Sequence, residues 1–120
     1  MSEDMSHMNY IELVGRQDCA TLITKEATYK GSWKKRGGVG AFMMLARKWD
    51  RIENMAEAAK YDIIELAISD PSGADGTILA EIRDLRCYLT LVEAEFYARL
   101  NKDTETATMR SHVARTAAEN

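Results

Sequence analysis

Three pairs of carboxylates recur at i,i+3 spacing: Asp50/Glu53, Asp62/Glu65 and Glu81/Asp84. That spacing sets both members of a pair on one face of a helix. Carboxylates that converge from several helices of a bundle hold hard divalent cations such as Mg²⁺. In a chain with 19 acidic residues, such pairs also arise as solvated surface. Glu81/Asp84 is the best candidate because it lies inside the strongest apolar seam of the chain. Arg83 and Arg86 stand close by, so ion pairing is the alternative to metal binding there.

The second constellation is KGSWKKRGGVG, residues 30–40, which gathers four of the seven glycines, four cations and a tryptophan. Backbone N–H groups in a glycine-rich turn can surround a phosphate, and a following helix N-terminus adds its partial positive charge. Lys30, Lys34, Lys35 and Arg36 would supply full charge, Gly37 and Gly38 bare backbone, and Trp33 a face on which a base can stack. Neither GxxxxGK[ST] nor GxGxxG is present, so this is neither a P-loop nor a dinucleotide turn. The plain alternative is a solvated basic loop. Arg47, Lys48 and Arg51 follow on the next helix and extend the cationic surface. Residues 30–51 carry seven cations against Asp50, a local charge of +6 that leaves −9 for the rest of a chain of net charge −3. A cationic segment in an anionic body argues for a small anionic ligand and against general nucleic-acid binding.

Other chemistries lack their residues. His7 and His112 lie near opposite ends, which removes a Ser–His–Asp or Cys–His set and a zinc site. Cys19 and Cys87 have no CxxC partner, and reduced, buried thiols of a cytosolic protein are expected. The turn DPSGADG, residues 70–76, lacks the ligand spacing and closing glutamate of a calcium loop. No apolar run approaches the length of a membrane span, and the acidic, polar start MSEDMSHMNY is unlike a signal peptide.

The elements that must position these residues read as helices, in a chain of 120 residues with one proline. A first helix is predicted over about 6–28, with Met8, Ile11, Gly15, Cys19, Leu22 and Glu26 on one stripe. The glycine-rich loop ends it. A second helix over about 40–58 steps through Phe42, Leu45, Trp49, Ile52, Ala56 and Ala59, with Met43 and Met44 expected in the core. A short third helix covers about 60–69, and Asp75 is a candidate cap for the fourth. That helix, about 76–101, carries Ile78, Ile82, Leu85, Leu89, Val92 and Phe96 at alternating four and three, a bundle seam. Tyr29, Tyr61, Tyr88 and Tyr97 read as packing residues. The expectation is an all-α bundle of about four helices forming one domain over 1–101, with a polar tail over 102–120. The apolar surface of the fourth helix exceeds one stripe, so a homo-oligomer is expected.

The stretch from Tyr29 to about Arg99 resembles small phage-encoded relatives of the MazG-like, all-α nucleotide pyrophosphohydrolases. It is also similar to nucleotide-modification-associated domains of phages. The pieces that carry the likeness are YKGSWKKRGGVGAFMMLARKWDRIEN and EIRDLRCYL. In that group an EExxE motif is followed by ExxD, with a tyrosine four residues beyond the aspartate. Glu81-Ile82-Arg83-Asp84 matches ExxD, and Tyr88 matches the tyrosine. EExxE has no counterpart; Asp62/Glu65 is the nearest substitute and Asp50/Glu53 another. The resemblance implies a helical oligomer in the cytoplasm of an infected bacterium. It would bind a nucleoside phosphate, cyclic signals included, through Mg²⁺ at Glu81, Asp84 and an upstream set drawn from Asp62, Glu65 and Glu53.

Three readings follow. One is a Mg²⁺-dependent nucleoside triphosphate pyrophosphohydrolase. Another is a sponge that sequesters a nucleotide signal of host defence without turnover. The third is a non-catalytic structural or interaction protein. The intact ExxD favours the first; the missing EExxE and the wealth of cations favour the second.

Overall fold

The computed structural model describes residues 6–103. Among them the chain is helical throughout, with four α-helices and no strand. These are α1 (His7–Tyr29), α2 (Gly37–Ala58), α3 (Ile63–Ser69) and α4 (Ile78–Asp103), with a single 3₁₀ turn at Ser32–Lys34 between α1 and α2. The expected tail beyond Asp103, which includes His112, lies outside the described residues. The chain divides into two compact units, Met1–Leu89 and Thr90–Asn120. The second contains the last turns of α4, where Phe96 and Tyr97 meet edge to face with centroids 5.1 Å apart and Arg99 donates to Glu95 one turn back.

Local chemistry fixes the helix ends. Ser6 caps α1, its hydroxyl accepting from the Asn9 N–H at 3.3 Å. Lys30 ends it in the left-handed region, its N–H donating to the Glu26 carbonyl at 2.9 Å. Gly31 continues the turn at φ 76°, and Gly37 opens α2 at φ 73°. At both points a side chain would be strained. The basic loop is thus shorter than the sequence implies. Helix α2 starts at Gly37 and not near residue 40, because the left-handed positions of the turn end at Gly37 and Gly38 and Gly40 continue as helix.

Helix α2 ends in an unusual turn. Lys60 and Tyr61 are consecutive left-handed residues with φ 54° and 68°, and the Tyr61 N–H donates to the Ala56 carbonyl at 2.7 Å. The Asp62 carboxylate then caps α3, accepting from the Glu65 N–H at 3.0 Å. After the turn at residues 70–76, Thr77 and not Asp75 begins α4. The Thr77 hydroxyl donates to the Ala74 carbonyl at 2.7 Å and accepts from the Ala80 N–H at 3.3 Å. Thr77 is buried, whereas Asp75 is exposed.

The core is small. Among the described residues the buried apolar ones are Ala41, Ile52 and Ala56 of α2 and Ile78, Ala80 and Cys87 of α4, and Ile78 is the one large side chain that is wholly buried. Asp18, Thr77 and Glu81 are buried with them. Several expected core positions face outward instead. Met8, Ile11 and Cys19 of α1 are exposed, as are Phe42, Met43 and Trp49 of α2, Tyr61, and Leu89 of α4. The reason is rotational. Helix α2 turns inward the face of Ala41, Lys48 and Ile52, and α1 the face of Val14, Asp18 and Leu22, because charges on those faces find partners on α4.

Candidate functional site

The residues singled out by their chemistry fall into two places, both within residues 6–89. The first is an ionic cluster joining α1, α2 and α4. Lys48 of α2 inserts its ammonium between the two acids of ExxD, 3.0 Å from Asp84 Oδ2 and 3.9 Å from Glu81 Oε1. Lys25 of α1 reaches Asp84 Oδ1 at 3.4 Å, and Arg51 of α2 stands 3.8 Å from Glu81 Oε1. The side chain of Lys48 is 13% exposed and that of Glu81 10%, so this pair is largely removed from water. Asp84 is partly open at 28%. The cluster leaves one atom short: Glu81 Oε1 is buried with no hydrogen bond, its two cations standing beyond hydrogen-bond reach.

Beside this cluster, Arg86 of α4 grips Asp18 of α1 through two hydrogen bonds, from Nε to Oδ2 and from Nη2 to Oδ1, the latter at 2.7 Å. That pairing, chiefly its hydrogen bonds, raises the guanidinium pKa above its ordinary value. The neighbouring Cys87 thiol is also pushed up, first by burial and then by the Asp18 charge. It is therefore held as a thiol and is poor as a nucleophile.

The fit to a metal can be tested on this geometry. Mg²⁺ needs near-octahedral oxygen ligation. Here two carboxylates meet three cations. Glu53, Asp62 and Glu65 are exposed, and the Asp62 carboxylate is engaged as a helix cap. Among the described residues no three His, Cys, Asp or Glu side chains come together to hold a metal ion. As arranged, the donor set suits ion pairing and does not fit Mg²⁺.

The second place is the entry to α2. Arg36 precedes the helix without a side-chain cap, and the first turn holds no acidic residue. The first N–H of the helix to find a backbone partner is that of Gly40, which donates to the Arg36 carbonyl at 3.3 Å. The N–H groups of Gly37, Gly38 and Val39 therefore stand ready for an external acceptor. Lys30, Lys35, Arg36, Gly37 and Gly38 are exposed around them. Trp33 is half-buried, and its indole N–H is buried with no hydrogen-bond partner. Lys34 is half-buried and already engaged. Arg47 is exposed on α2. Lys48 and Arg51 belong to the ionic cluster, so the structure divides the expected cationic surface between two sites.

Periodicity alone did not reveal Asp18 and Lys25, and Arg86, expected as a partner of Glu81/Asp84, pairs with Asp18 instead. The available sign was a charge at a core position: Asp18 falls at four-residue spacing between Val14 and Leu22, and Lys25 lies seven residues further on. Among the described residues no helix is long and apolar enough to cross a membrane. No protein family, curated protein or solved structure matches this chain.

Proposed function

We propose that the chain is a nucleotide-binding module that holds the phosphates of its ligand at the entry to α2 and releases the ligand unchanged. One observation carries this reading. A 22-residue helix begins on glycines with no cap and no carboxylate in its first turn, between exposed Lys35 and Arg36 and free backbone N–H groups. Most helix starts satisfy those donors with a Ser, Thr, Asp or Asn side chain. This one leaves them to an anion, and the helix dipole and the two cations favour one. Trp33 adjoins the site and could stack a base. Sequestration is preferred to hydrolysis because Glu81 and Asp84 are occupied by Lys25, Lys48 and Arg51. A catalytic metal there would have to displace Lys48, which is already seated between the acids.

The test is a substitution that separates ligand from fold. Nothing lies within 4 Å of a Cβ built at Gly38, and its backbone is not in the left-handed region. Gly38→Glu should therefore fold, and a carboxylate in the first turn should even favour the helix slightly. It should also repel phosphate. Titration calorimetry with ATP and with a cyclic dinucleotide should give binding to the parent and to Gly38→Ala. Affinity should fall at least tenfold in Gly38→Glu, and mass spectrometry should return the bound nucleotide intact. Equal binding by Gly38→Glu and the parent would remove the phosphate reading. Mg²⁺-dependent release of pyrophosphate by the parent, lost in Asp84→Asn, would replace sequestration with hydrolysis.

A further inference from the structure

The side of α2 that faces away from the core is apolar along half its length. Val39, Phe42, Met43 and Trp49 are 77%, 65%, 55% and 53% exposed. At 100° per residue they fall on one stripe with Ala46 at its centre, opposite the buried Ala41, Lys48 and Ile52. A surface helix normally turns polar residues to water on that side.

Charge along this stripe and at its entry is sorted by end. Lys35 and Arg36 stand at the N-terminal end, and Asp50, Glu53 and Glu57 continue the stripe toward the C-terminal end. All five are exposed, and among the described residues none has an ion-pair partner. A face with an apolar centre, a basic head and an acidic foot is complementary to itself when turned end for end.

We infer that the outward stripe of α2 is the seat of a second copy of this chain, with the two α2 helices antiparallel about a two-fold axis near Ala46. A two-fold contact uses the same patch on both subunits, and this patch supplies both halves of its own complement. With Ala46 at the crossing, Met43 meets the partner's Trp49, and the Lys35–Arg36 entry of each helix faces the acidic end of the other. The small Ala46 allows close approach, and the helix dipoles run in opposite directions. Four exposed side chains of this size offer roughly 500 Å² per copy, so a pair buries roughly 1,000 Å² before the flanking charges are added, the lower bound for a specific interface. The inference shares Lys35 and Arg36 with the nucleotide reading, but it does not require that reading, and its test uses no nucleotide.

The experiment is sedimentation velocity on the full chain and two charge variants. Lys35→Glu/Arg36→Glu makes both ends of the stripe acidic, and Glu53→Lys/Glu57→Lys makes both ends basic. The parent should dimerise at micromolar concentration. Each variant alone should dissociate at least tenfold more readily, with unchanged helical circular dichroism. An equimolar mixture should restore dimers, since each acidic end then meets a basic one. If either variant loses helicity, Phe42→Asn and Trp49→Gln test the same stripe, and each should weaken the dimer at least tenfold. A parent that stays monomeric at 100-micromolar order, or a mixture no better than its components, overturns the inference. A dimer indifferent to these variants does so too.

Discussion

Replacing Lys48 with methionine is the most direct probe of the ionic cluster. The side chain keeps its length, so packing against α4 is largely preserved, but the ammonium between Glu81 and Asp84 is lost. Asp84 retains Lys25 at 3.4 Å. Glu81 retains only Arg51 at 3.8 Å, with no hydrogen bond to its buried oxygen. Removing one partner of a buried ion pair costs about 3–5 kcal/mol, because a desolvated charge is left behind. The remaining cations place this case at the lower end, about 3 kcal/mol, which corresponds to a Tm lower by on the order of 10–20 °C for a domain of this size. Urea and thermal unfolding followed by circular dichroism measure it. The double variant Lys48→Met/Glu81→Met removes both charges and should recover most of the loss, a coupling of about 2 kcal/mol. If the two single changes simply add, or if Lys48→Met is neutral, the cluster is solvated surface and the account of α2's rotation is wrong.

Thr77→Ala should cost about 1–2 kcal/mol, because it leaves the buried Ala80 N–H without its partner and takes one of two donors from the Ala74 carbonyl, which keeps the Thr77 N–H; Asp75→Ala, by contrast, should be near neutral in the same urea titration. Cys19 should react with a thiol reagent at once and Cys87 only as fast as the fold opens. Because the folded state raises the Cys87 pKa, the associated stability is present below the ordinary thiol pKa and is lost as pH climbs through the raised value. The alkaline decline in Tm should accordingly be shallower in Cys87→Ala than in the parent.

The number and order of the helices were legible in the sequence, and α1 was placed within a residue at each end. That success came from strong periodicity and from Gly and Pro at the breaks. The rotation of the helices was not legible. Counting apolar residues put Trp49, Phe42 and Met43 inside, yet α2 turns Lys48 inward. The deciding term is a set of ion pairs whose members lie 36, 59 and 68 residues apart, as in Lys48–Asp84, Lys25–Asp84 and Asp18–Arg86. No local window contains both members of such a pair. The start of α2 was missed for a smaller reason: consecutive glycines look like a loop, although after Gly37 each takes helical backbone. At the candidate site, the cations and glycines at the entry to α2 were visible as residue types. That Lys48 is occupied and Lys35 open depends on tertiary pairing.

An interior in which, among the described residues, Ile78 is the one large side chain wholly buried, and in which Lys48, Glu81 and Asp18 take interior places, has a consequence for heat capacity. Unfolding a typical domain raises heat capacity by about 12–15 cal/mol/K per residue, mostly through newly wetted apolar surface. A single copy of this chain has little such surface to wet, and the charges it releases act in the opposite direction. Its increment should fall well below that range, which flattens the dependence of stability on temperature. Cooling would then weaken the fold little. Warming would be resisted by ion pairs whose dehydration becomes less unfavourable as temperature rises. The isolated protomer should thus be modest in stability and broad in thermal range.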